Sequence, residues 1–164
     1  MIRIVVCDTG PLLHLGEANI IHLLQMAGEI IIPFVVAEEF KRNTSDIKLP
    51  EWVTIKELDE PYQKTVLEWR KQIDEGEAAA IALTMQMEAD WLLTDDAIAR
   101  QFGESVGLEI HGSIGLLLWA AAVGHIESEN EAMDALNALI NSSLWISDRV
   151  VNQAHKAIHA LYSG

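Results

Sequence analysis

The opening MIRIVVCDTG sets the first constraint. Ile4, Val5, Val6 and Cys7 are consecutively apolar and mostly β-branched, and the run then stops on a carboxylate, Asp8. A strand without polar alternation suits burial on both faces, as in a parallel sheet with helices on either side. The chain repeats this theme up to about His111. EIIIP, WVTIKEL, DWLLT and LEIHG read as short strands, the WVTIKEL segment at an edge because it alternates. Between them lie helical stretches: LLHLGE after the DTGP break, NIIHLLQMAG, FVVAEEFKRN ending near Asn43, YQKTVLEWRKQI, the Ala-rich DEGEAAAIALTMQME, and DDAIARQFGESVG. After His111 only helices follow: SIGLLLWAAAVGHI, NEAMDALNALINS and a last helix capped by Ser147. The expectation is an α/β fold with a mainly parallel central sheet and a helical C-terminal extension. The 164 residues suit one domain, with a core over about 1–126 and the extension over about 127–164.

Cys7 is the lone cysteine, which excludes an internal disulfide and fits a reducing compartment. No signal-peptide pattern follows Met1, and the longest apolar stretch, SIGLLLWAAAVGHI, is too short to span a bilayer. A cytoplasmic protein with no membrane partner is expected. The 25 acidic against 11 basic residues give a net charge of −14, which argues against a protein that simply coats nucleic acid. That balance is compatible with divalent cations or with a basic partner.

Ligands of open parallel sheets sit outside the carboxyl ends of the strands. Asp8 follows the first strand, and Asp95 and Asp96 follow WLLT, so two strand ends carry acids at one edge if both strands run parallel. Asp is also a favoured helix N-cap, and both sites precede helices. Glu77 opens the Ala-rich helix, where it forms a capping box with Asp74; the small Ala78, Ala79 and Ala80 let that helix approach the sheet closely. On the helical wheel Glu39 falls between Val35 and Val36 on the apolar side, and Glu38 falls outside it. An inward carboxylate is costly unless it is paired or binds a metal. Clustered carboxylates raise one another's pKa, and a hard, oxygen-seeking divalent cation resolves the conflict. The six histidines have no zinc spacing, and there is no phosphate-cradling Gly-rich loop and no Gly-x-Ser-x-Gly elbow. A phospho-receiver domain, which also has acids at strand ends, needs paired acids after strand one and a Lys at a later strand end. Here Asp8 stands alone and no Lys follows LEIH.

CDTGPLLHL, VVAEEF, GEAAAIAL and LLTDDAIAR, in that order, resemble the PIN domain, and more closely its VapC-like members. IHGSIGLLLWAAAVGHI is similar to a C-terminal element of a PIN subgroup whose first motif reads Asp-Thr-Gly-Pro. The resemblance implies an α/β/α sandwich and an Mg²⁺- or Mn²⁺-dependent ribonuclease, commonly the toxin of a toxin–antitoxin pair. It implies four acids, Asp8, Glu39, Glu77 and Asp96, with Asp8 and Asp96 touching metal and Asp95 an additional ligand or sharing the role of Asp96. Glu39 and Glu77 would act through waters, and Thr9 and Thr94 would orient carboxylates or phosphate. Arg42 and Arg100, with Lys41 and Lys48, are the few cations expected near the mouth. RNA substrate, an antitoxin bringing an Arg or Lys into the acidic pocket, and a homodimer through the tail are the partners in view. Trp145, Val150, Val151 and Leu161 are candidates for apolar contacts of the tail. The alternative is a PIN-like binding module that keeps the fold and the acids without turnover.

Overall fold

In the computed structural model, which describes residues 2–44 and 46–164, five strands form one all-parallel sheet in the order β3-β2-β1-β4-β5. The chain runs β1 (Ile4–Cys7), α1 (Thr9–Glu17), α2 (His22–Ala27), β2 (Glu29–Pro33), α3 (Phe34–Asn43), β3 (Thr54–Lys56), α4 (Glu60–Trp69) and α5 (Glu75–Met87). It continues through β4 (Trp91–Leu93), α6 (Ala97–Ser105), β5 (Ile110–His111), α7 (Ser113–Ala122), α8 (Glu129–Ile140) and α9 (Asp148–Tyr162).

The unbroken apolar run of β1 is explained by two cores, one on each face. Val5 and Cys7 join a cluster with Leu12, Phe40, Leu116 and Leu136, whereas Val6 joins Ile31, Ile81 and Leu92 on the other side. Successive strand residues point to opposite faces, so both faces need apolar side chains. The result is an α/β/α sandwich. The expected edge position of β3 is found, but the strand is only Thr54–Lys56 and all three residues are exposed. Among the described residues, no helix is long and apolar enough to cross a membrane.

One expectation changes. The first helix starts at Thr9, so Gly10 and Pro11 lie in its opening turn instead of forming a separate break. Asp8 caps that turn, and a proline there gives up an N–H that has no helical partner anyway. The expected helical C-terminal part is present and packs into the core: Ala132, Leu136, Leu139, Ala154 and Ile158 share the cluster of Leu12 and Leu15. Of the side chains named as candidates for apolar contacts of the tail, Trp145, Val150 and Leu161 are exposed and Val151 is half-buried. Small residues, Ala132 and Ala154, let these helices approach closely.

Strand order reverses around β1: β2 and β3 lie on one side, β4 and β5 on the other. The crevice between the carboxyl ends of β1 and β4 is therefore the place where an open parallel sheet takes a ligand.

Candidate active site

Asp8 leaves β1 at this crevice and is only 6% exposed. The β1–β4 ladder pairs Cys7 with Leu93, and the Asp8 N–H donates to the Leu93 carbonyl at 2.9 Å, which sets Asp8 beside Thr94. Its Oδ1 accepts from the Thr9 N–H at 2.8 Å, and its Oδ2 accepts from the buried Thr94 hydroxyl at 3.1 Å. The same Thr94 oxygen accepts from the Asp96 N–H at 3.3 Å, so one hydroxyl ties together the two strand-end acids. Asp96 caps α6, its Oδ1 accepting from the Ala99 N–H at 2.8 Å. Both acids are helix caps and line the cleft, so the two roles coexist.

Glu39 reaches in from α3, where its Oε2 accepts from the Thr9 hydroxyl at 2.8 Å. Glu77 stands in the first turn of α5 and accepts from the Asp74 N–H at 3.2 Å through Oε1, and the expected capping box between Asp74 and Glu77 is present. Asp8, Glu39, Glu77 and Asp96 thus come from four elements into one cleft of about 750 Å³, which Asp74, Glu75 and Asp95 also line.

Asp95 is differently employed. Its Oδ1 accepts from the Ser113 N–H at 2.7 Å, and its Oδ2 from the Ser113 hydroxyl at 2.6 Å and beside His14 Nδ1 at 2.7 Å. This carboxylate binds the start of α7 to α1. Both oxygens have protein partners, as do both oxygens of Asp8. The cations expected near the mouth differ in where they stand. Arg42 is exposed on α3 and does not line the cleft, and neither do Lys41 and Lys48. Arg100 lines an adjoining groove, with its guanidinium on Glu104 at 3.3 Å and on the Ile110 carbonyl at 3.1 Å.

Unoffset acids leave an electrostatic mark. Burial pushes Asp8 up to about 6, against hydrogen bonds from Thr9 and Thr94, with the charges of Glu39 and Asp96 adding to the rise. Burial, then the charges of Asp96 and Asp8, push Glu77 up to about 8. Cys7 is fully buried; burial first, then Asp8 and Asp95, raise its thiol, which makes it a core residue and not a nucleophile.

The donor set is all oxygen and mutually repulsive, which fits a hard divalent cation. Among the described residues, no three Asp, Glu, His or Cys side chains are arranged to enclose an ion. The fit is therefore to an ion that keeps much of its water and takes one or two carboxylates, as Mg²⁺ does.

A linkage follows. In the fold Asp8 and Glu77 hold protons more tightly than in the unfolded chain, so the native state binds more protons over this range. The penalty for folding grows as pH rises through about 6 for Asp8 and about 8 for Glu77. The melting temperature of metal-free protein is expected to fall from about pH 5 to about pH 9, and Mg²⁺ or Mn²⁺ to raise it more at the higher pH. A metal-free melting temperature that stays flat or climbs over that interval would contradict the clustering.

Two features were not read from the sequence. Gly76, inside the GEAAA motif, is buried, and a Cβ built on it would run into both carboxylate oxygens of Glu39. A glycine beside Glu77 in a helix start was the available signal. The other is the wall formed by Ser143, Leu144 and Trp145 between α8 and α9, which only the packing of the C-terminal helices brings to the cleft.

A family model described as a PIN domain matches residues 4–160, from β1 into α9. No match is found among curated proteins or among solved structures. With the match covering all five strands and the cleft at their carboxyl ends, the chain belongs to the PIN domain family.

Proposed function

We propose that this protein is a divalent-metal-dependent ribonuclease that hydrolyses RNA phosphodiester bonds, and that it is a VapC-like toxin of a toxin–antitoxin pair. PIN domains are generally nucleases that use divalent metals. The observation that carries the proposal is the convergence of Asp8, Glu39, Glu77 and Asp96 on the switch-point cleft, with Asp8 and Glu77 pushed up by burial and unoffset neighbours.

Asp8 and Asp96 are the direct ligands in this proposal. A bound Mg²⁺ or Mn²⁺ supplies an acidified water and offsets charge developing on the phosphate. Thr94 fixes the Asp8 carboxylate and Thr9 fixes Glu39. Glu77 uses Oε1 for the Asp74 N–H, which leaves Oε2 to orient water and accept its proton. Asp95, through His14 and Ser113, holds the loop that presents Asp96.

The net charge of −14 weighs against tight RNA binding through phosphates, and no Lys or Arg lines the cleft among the described residues. The same charge defines what an inhibitory antitoxin brings, an Arg or Lys; a complex with no cation reaching Asp8 or Asp96 would count against that pairing. Single-stranded RNA incubated with the protein is expected to be cut with Mg²⁺ or Mn²⁺ and left intact with a chelator. Equal products from wild type, Asp8→Asn and Asp96→Asn would leave the non-catalytic binding module as the better account.

A further inference from the structure

Two grooves adjoin beside the indole of Trp145. Ser143, Leu144 and Trp145 bound the acidic cleft, and a second groove of about 390 Å³ opens against the same stretch. The second groove shares Thr94, Asp95 and Asp96 with the cleft and is floored by Ile114, Ile146 and Val150. Trp145 lines both and is 84% exposed, the most exposed of the large apolar side chains among the described residues. Hydration of a bare indole is unfavourable, and an exposed large aromatic at a cleft is more informative than a scattered surface apolar residue.

The loop that carries Trp145 is held. The Ser143 N–H and hydroxyl both donate to Glu17 Oε1 on α1, at 3.1 and 2.5 Å, and the Leu144 N–H donates to Ser142 Oγ at 3.2 Å. Ser147 then caps α9. The indole is thus presented at the mouth from a fixed backbone, which lowers the ordering cost of binding.

Charge decides what such an indole can hold. Arg100 is the one Lys or Arg lining either groove among the described residues, and it is engaged by Glu104 and the Ile110 carbonyl. Phosphate contacts, the usual source of affinity for nucleic acid, are therefore scarce. Stacking of a base on an aromatic face does not depend on positive charge. We propose that Trp145 stacks on an unpaired nucleobase adjoining the phosphate in the acidic cleft, with the second groove receiving that base, so that the substrate is single-stranded. This rests on the nuclease proposal above for the position of the phosphate. A base inside a duplex is stacked on its neighbours and does not offer its face to the indole.

The test is binding of a labelled single-stranded RNA octamer in the Asp96→Asn background with Mg²⁺, where cleavage is suppressed. Trp145→Ala is expected to weaken binding roughly five- to a hundredfold, and Trp145→Phe, which keeps an aromatic face, about threefold or less. An abasic octamer should not distinguish the three forms. With Asp96 restored, Trp145→Ala should raise KM by a similar factor and change kcat less. The exposed position predicts an unchanged melting temperature for Trp145→Ala. Equal binding by the parent and by the Trp145→Ala variant overturns the proposal. So does absence of binding by the parent, or a shift from dimer to monomer on substitution with RNA binding unaltered, which would make Trp145 a subunit contact. Cleavage that needs Asp8 but ignores Trp145 removes this proposal alone; Trp145-dependent binding with no cleavage by wild type removes the nuclease proposal alone.

Discussion

Asp8→Asn is expected to stabilise the metal-free protein and, in the same molecule, to remove its nuclease activity. The two effects come from one cause. Asp8 is 6% exposed, and burial together with Glu39 and Asp96 lifts its pKa from the usual value of 3.8 to about 6. Keeping it charged above that pH costs the fold up to ~3 kcal/mol at roughly 1.4 kcal/mol per pKa unit. Asn removes the charge and keeps the contacts: its oxygen accepts from the Thr9 N–H, and its amide donates to the Thr94 hydroxyl, reversing the present bond. At about pH 8 without metal, the melting temperature should therefore rise by several degrees. Loss of an anionic ligand should lower cleavage at least about a hundredfold, beyond the ten- to hundredfold typical of disturbing a partner of a ligand. Asp96→Asn should share the activity loss with little change in stability, because Asn caps a helix about as well as Asp. A destabilised Asp8→Asn, or one that cuts RNA like wild type, would refute this assignment.

The acids at strand ends were legible as apolar runs that stop on a carboxylate at the edge where a parallel sheet takes ligands. Asp8 and the Asp95–Asp96 pair were placed in this way, Glu39 by its position on the helical wheel and Glu77 by its capping box; Asp96 was singled out by the resemblance, and all four acids line one cleft. What could not be read was how neighbouring residues of one type divide their work. Asp95 and Asp96 are adjacent and alike, yet Asp95 serves Ser113 and His14, residues distant in the chain that only the fold brings together. What Arg100 engages was not legible for a related reason. A long arginine reaches in several directions, and its nearest acid wins: Glu104 holds Arg100 one helical turn away. Trp145 was named only as a candidate for apolar contacts of the tail; that Ala and Leu side chains of α8 and α9 do the packing and leave it exposed at the cleft depends on the tertiary fold.

Gly76→Ala should leave the protein about as stable as before and impair cleavage roughly ten- to a hundredfold. On helix propensity alone the change is favourable by about 1 kcal/mol, since Gly76 lies in the first turn of α5. The added methyl, however, meets the two oxygens of Glu39 at a separation real atoms do not adopt. The backbone of α5 is fixed by Ala78, Ala79 and Ala80 packed against the sheet, so the Glu39 side chain has to move. Moving it breaks the 2.8 Å bond from the Thr9 hydroxyl, a loss of about 1.5 kcal/mol or more for a charged acceptor, which offsets the propensity gain. The expected result is a near-zero change in melting temperature with the Glu39 carboxylate displaced in the cleft, and positioning errors of about 1 Å are enough to cost a hundredfold in rate. A double-mutant cycle separates this from simple damage to the helix. In a Glu39→Ala background the methyl has nothing to strike, so Gly76→Ala should become harmless to the residual activity. If the same fractional loss persists there, Gly76 serves the packing of α5 and not the placement of Glu39.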